Sequence, residues 1–260
     1  MPITVPSILA AQRRGVEIGR IRMGAKVAFT KRDGKPGVRP SKLAQWRLTS
    51  PNREAVEAAA VLLGGTAQEW RSPTGPQWEV YTASDALDVV IPPGEPVEQH
   101  MEMWSGGGCV RRCAGGPDAA GNPPVNQVDG KPCACPADDD ERVRLAADGD
   151  ACKPTTRLRV VLPTLPGIGL WRLESHGFYA AVELVGRHDL LSQAAEHGVY
   201  VPARLRREQR QRGKNQYGVP VLDIRVSVAQ IAAGEGVGAL PAVVGSRPVA
   251  AIRPGTRAAR

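Results

Sequence analysis

The chain alternates apolar and polar residues over short stretches, with helical spacing between them. Arg20-Ile21-Arg22-Met23 and Arg157-Leu158-Arg159-Val160 place an apolar side chain at every second position, the pattern of strands with one buried face. Trp46-Arg47-Leu48-Thr49-Ser50 and Trp171-Arg172-Leu173-Glu174-Ser175 follow them and share Trp, Arg, Leu and Ser. A helical run comes next in both places: residues 54–63 (EAVEAAAVLL), and residues 179–185 (YAAVELV) continuing towards Leu191. Asn52 and Gly177 lie in the turn before each run, and the Ser50 and Ser175 hydroxyls stand where they can cap free helix N–H groups. Farther on, Leu87-Asp88-Val89-Val90-Ile91 resembles Leu222-Asp223-Ile224-Arg225-Val226.

The order strand, strand, helix, strand, strand therefore occurs twice. The expected fold is α+β, with two pseudo-symmetric ββαββ halves, residues 16–103 and 157–230, whose helices pack on antiparallel sheets. The basic, turn-rich stretches TKRDGKPGVRP and RREQRQRGKNQ are expected as exposed hairpin tips. Residues 1–15 form an expected N-terminal arm. Residues 231–260, rich in Ala, Gly and Arg, form an expected disordered tail.

Between the halves, residues 104–156 have a different composition. After Trp104 their large aliphatics are Val110, Val125, Val128, Val143 and Leu145, too few to close a core against an ordering cost of about 1–2 kcal/mol per residue. All five cysteines fall here: Cys109, Cys113, Cys133, Cys135 and Cys152. Clustered thiols in a core-poor segment point to a structural Zn2+ that supplies the missing folding energy. Tetrahedral zinc takes four ligands, so one cysteine is spare. The spacing C-x3-C, C-x-C, C favours Cys109, Cys113, Cys152 and one of Cys133 and Cys135. Arg111, Arg112, Lys131 and Lys153 stand beside the cysteines, where they would offset the charge of a tetrathiolate.

The 260 residues carry a net charge of +8. Residues 1–42 alone hold four Lys and six Arg against Glu17 and Asp33, so the rest of the chain is neutral. A basic arm on a neutral body suits nucleic acid, or a protein already on it. Glycine (29) and proline (23) are abundant and predict long irregular stretches beside the core. No run of about 18 apolar residues predicts a membrane span. Residues 1–15 have no secretory h-region, which with an odd cysteine count argues for a reducing, cytoplasmic setting without disulfides.

No Walker loop, HExxH, GxSxG or dinucleotide fingerprint occurs. Ser105-Gly106-Gly107-Gly108 reads as a hinge, Asp138-Asp139-Asp140-Glu141 as a solvated run, and His176 beside Ser175 as a turn residue. No acid, base and nucleophile assemble, so no catalytic residues and no small-molecule substrate are expected.

The stretches GGGCVRRC, KPCACP, ACKPTTRLRVVLP, GIGLWRLESHGFYAAVEL and VPARLRREQ resemble the actinobacteriophage recombination directionality factors that partner large serine integrases. The resemblance runs from about Arg20 to Val226. It implies an accessory protein that binds the integrase near its coiled-coil subdomain and switches it from attP × attB integration to attL × attR excision. DNA would be met indirectly, through the integrase, in the bacterial host cytoplasm. The alternatives are a zinc-containing nucleic-acid-binding protein and, more remotely, a metal-dependent hydrolase.

Overall fold

The computed structural model describes residues 17–235, apart from residues 73, 74, 118, 119, 137, 168, 188–190, 192, 193, 195–197, 214 and 234. The expected arm, residues 1–15, lies outside the described residues, as does all of the expected tail beyond Glu235. The protein is α+β and dominated by sheet.

The first hairpin is long: β1 (Glu17–Thr30) and β2 (Pro36–Ser50). Helix α1 (Arg53–Leu63) leads into β3 (Gln68–Ser72), β4 (Gly75–Tyr81) and β5 (Ala86–Ile91). The middle of the chain supplies β6 (Val97–Ser105), β7 (Gly108–Cys113) and helix α2 (Asp139–Asp148). Then come β8 (Lys153–Val160), β9 (Leu170–Ser175), α3 (Phe178–Val185), β10 (Val201–Arg212), β11 (Asn215–Ile224) and α4 (Val228–Ala232).

Eight strands form one sheet in the order β3-β4-β2-β1-β9-β8-β6-β7, and the other three form a second sheet, β11-β10-β5. The two Arg-x-Arg strands and the two Trp-Arg-Leu strands lie side by side at the centre of the large sheet. There β1 and β9 pair in parallel, with Ile21 opposite Leu173. Period-two alternation puts Trp46, Leu48, Ile21, Trp171, Leu173, Leu158 and Val160 on one face, almost wholly buried. Helix α1 packs against β2 and β4, and α3 against β6, β8 and β11. Leu87, Val89, Ile91, Val201, Leu205 and Leu222 of the second sheet join the same core. Ile231 of α4, inside the span expected as tail, is also buried in it.

The likeness of the halves extends through the strand pairs into the next turn. Ser50 Oγ accepts from Asn52 N–H at 3.0 Å, and Ser175 Oγ accepts from Gly177 N–H at 3.4 Å. These are two-residue Ser turns, not helix caps. The helix caps are Asn52, whose side chain accepts from Ala55 N–H, and Gly177, which has none to offer.

After the helices the paths diverge, so two equivalent ββαββ halves are not seen. The free edge of β2 receives β4. The corresponding edge of β9 is occupied by β1. The second half's hairpin, β10–β11, instead builds the small sheet, where β5 pairs with β10. The stretch RREQRQRGKNQ, expected as a hairpin tip, is mostly strand, with Arg206 to Arg212 paired to β11. Arg207 occupies an inward position there, and its guanidinium donates to Met23 O at 2.7 Å. No helix among the described residues is long and apolar enough to cross a membrane.

Candidate metal centre and charged sheet face

The large sheet's other face is polar, because the same alternation that buries Trp46 and Leu173 turns Arg20, Arg22, Arg47, Arg157, Arg159, Arg172 and Glu174 the opposite way. Glu98 stands opposite Arg157 and Glu102 opposite Lys153 on this face. A cavity of about 820 Å³ opens here, lined by Glu102, Arg112, Arg157, Arg172 and Glu174 among others.

Arg157 is the hub, with its side chain only 6% exposed. Its terminal nitrogens donate to both Glu102 oxygens at 2.8 Å, and Nε donates to Glu174 at 2.8 Å. Arg112 and the Trp104 indole N–H also donate to Glu102, at 2.7 and 2.9 Å. Arg159 donates to Glu98 at 2.6 Å. Burial alone would raise the Glu102 pKa, but hydrogen bonds from Arg157 and Trp104 and the nearby guanidinium charges outweigh it and hold the carboxyl at about 2. Glu174 is held at about 2, chiefly by its hydrogen bond with His176 and by Arg157. At neutral pH these carboxylates are poor bases and poor proton donors. Burial and the charges of Arg20 and Arg47 lower Arg22 to about 10. The face is a mixed-charge surface whose carboxylates are held by arginines.

The cysteines lie on the opposite side of the sheet edge. Met101 pairs with Cys113 and Glu102 with Arg112, so Cys113 faces away from the arginines. Cys113 ends β7, Cys152 immediately precedes β8, and Cys133 and Cys135 lie in the intervening loop. That loop is closed by the Val125–Pro132 bridge and by Cys133 N–H donating to Pro124 O at 2.7 Å. The sulfurs of Cys133, Cys135 and Cys152 lie within 4.8 Å of one another. Cys113 packs against Cys133 and Cys152, with Met101 and Met103 against the same cluster.

Burial pushes the Cys113 thiol up to about 11, and that of Cys152 upward also. Burial acts the same way on Cys135. There it is outweighed by hydrogen bonds from the Cys152 N–H, at 3.3 Å, from the Cys152 and Cys133 thiols and from Arg111, so this thiol's pKa is lowered.

Cys109 does not share these contacts; its thiol donates to Arg111 O at 3.2 Å. The spacing favoured Cys109 with only one of Cys133 and Cys135, whereas the fold brings both of the latter together with Cys152. Of the four expected counter-charges, Arg111 acts on Cys135, while strand alternation turns Arg112 to Glu102 and Lys153 to the cavity.

The remaining motifs are structural. Asp138 caps α2 by accepting from Glu141 N–H at 2.7 Å. Ser105 to Gly108 form the β6–β7 turn. His176 bridges Thr155 and Glu174. His188 and His197 lie outside the described residues.

A third feature is the outer end of the β1–β2 hairpin, past the irregularity between Arg22 and Gly24, where β1 pairs with β2 alone. It exposes Lys26, Lys31, Arg32, Lys35, Arg39 and Lys42, with Asp33 as the acid of residues 26–42, and partly exposes Val27, Phe29 and Val38.

Residues 18–228 match a family described as Gp3-like, recombination directionality factor-like. No solved structure matches the chain.

Proposed function

The chain belongs to the Gp3-like, recombination directionality factor-like family, and from that premise we propose that it binds a large serine integrase and turns it from attP × attB joining to attL × attR excision. The observation that carries this reading is the family match, which spans both sheets and the cysteine segment. The charged face supports it: the carboxylates Glu98, Glu102 and Glu174 are tied to arginines, which favours contact over chemistry. The protein acts without catalysis of its own, and cutting and joining belong to the integrase.

Such a switch is a shift in populations, because the factor must bind one arrangement of the integrase better than the other. A difference of about 3 kcal/mol changes the ratio by more than a hundredfold. DNA is met mainly through the integrase, in the cytoplasm of a phage-bearing bacterial cell.

Zinc has a structural role in this reading, holding the segment between the halves. The likeness of the two Trp-Arg-Leu-x-Ser strands, down to the Ser50 and Ser175 turns, supports duplication of a strand-strand-helix unit. A second reading, direct nucleic-acid binding, is favoured by the basic hairpin end. Recombination of attL with attR by the integrase of the same genetic element, with and without this chain, separates the two. Stimulation supports the directionality reading. Its absence together with tight sequence-specific DNA binding supports the other.

A further inference from the structure

We infer that Cys113, Cys133, Cys135 and Cys152 hold one zinc ion as a closed four-thiolate site, that Cys109 stays outside it, and that the ion pins the β6–β7–β8 edge of the large sheet. This inference stands apart from the integrase partnership: a chain that fails the recombination assay can still carry the zinc.

Zinc–sulfur bonds of about 2.3 Å in a tetrahedron place the sulfurs about 3.8 Å apart. Three of the four already lie within 4.8 Å of one another. The fourth, Cys113, is 2% exposed and packs into the same buried cluster as Cys133 and Cys152. Cys113 completes the shell as the fourth sulfur.

The surroundings suit coordinated thiolates. The Cys152 backbone N–H points at the Cys135 sulfur, and Arg111 brings a positive charge to it. Outer hydrogen bonds of this kind orient metal ligands and moderate their charge. Soft sulfur donors in a tetrahedral arrangement suit zinc, with iron as the competing ion. Four protein ligands leave no open position, so the site is structural.

The insert's apolar packing is sparse. Val125, Val128 and Val143 are all more than half exposed. Its cysteine cluster buries Cys113, Cys133 and Cys152, with Cys135 and the β6 side chains Met101 and Met103 partly buried against them. Ordering a segment this long needs a source of folding energy, and a zinc site supplies it outright. Cys109 is excluded by reach. It lies four residues from Cys113 along β7, about 13 Å at the rise of a strand.

The site also touches the opposite face. Cys113 adjoins Arg112, and Cys152 adjoins Lys153, both of which line the charged cavity. Zinc bound behind the sheet therefore fixes the cavity's outer wall.

The test uses the full chain, purified without added metal. Elemental analysis is expected to give one zinc per chain, and X-ray absorption at the zinc edge four sulfur neighbours at about 2.3 Å. Cys109→Ser should keep the metal, whereas Cys113→Ser and Cys152→Ser should lose it. Absorption on the unmutated chain decides the matter even if those two variants do not fold. A metal-free chain with an ordered insert, iron in place of zinc, a shell of fewer than four sulfurs, or zinc lost from Cys109→Ser would each overturn the inference.

Discussion

Arg157 on β8 grips Glu102 on β6 with both terminal guanidinium nitrogens, each at 2.8 Å, and the Glu102 side chain is fully buried in that grip. The same guanidinium serves Glu174 on β9, so one cation ties three strands of the charged face together. A buried pair of this kind costs more when half-broken than when replaced whole. Arg157→Met should therefore lower unfolding stability by about 3–5 kcal/mol, read from urea denaturation. The double variant Arg157→Met, Glu102→Leu should recover part of that loss.

The pH dependence follows from the same carboxylates. Glu102 and Glu174 titrate at about 2 in the folded chain, against about 4.3 for an unfolded glutamate. A depressed folded value means stability that is fully present above about pH 4.5 and drains away as the pH falls towards 2. Melting temperatures between pH 7 and pH 3 should fall more steeply for the natural chain than for Glu102→Gln. An equal slope would mean that the grip on Glu102 is not formed.

Gly19 has no room for a side chain. A Cβ there would fall inside the van der Waals envelope of the Trp171 indole, across the β1–β9 junction. Gly19→Ala should destabilise the protein by about 1–3 kcal/mol through overpacking. Gly34→Ala, in the open hairpin turn at φ 78°, should act through backbone strain alone. Thermal melts of the two variants separate packing from backbone effects.

The basic hairpin end should give weak DNA binding without sequence preference. Replacing Lys31, Arg32 and Lys35 with Glu should abolish it, and titrations at rising salt should show a steep loss for the natural chain. Salt-independent or sequence-specific binding would favour direct nucleic-acid recognition.

The core was legible in the sequence, because Ile21, Leu48, Leu158 and Leu173 announce their strands by strict alternation and the paired tryptophans mark the sheet's centre. The parallel junction of β1 with β9 was not, since no local pattern tells which edges of two hairpins will meet. That junction also decides where β10 and β11 can go. The polar face went unread for a different reason. Arg47, Glu102 and Arg157 sit at positions that alternation assigns to solvent, yet cross-strand pairing buries them. Arg207 misleads in the same way, filling an inward position of β10 with a guanidinium. Among the cysteines, composition was enough to single out the segment. Spacing could not show that a bend at Cys135 brings it beside Cys152.

In the proposed function this chain controls an integrase by contact. Its most direct test is the recombination of attL with attR by the purified integrase of the same genetic element, with and without the full chain. Excision should appear only when the chain is present, attP × attB joining should be suppressed in parallel, and the two proteins should co-purify without DNA. Unchanged recombination in both directions, with no complex between the proteins, would contradict it.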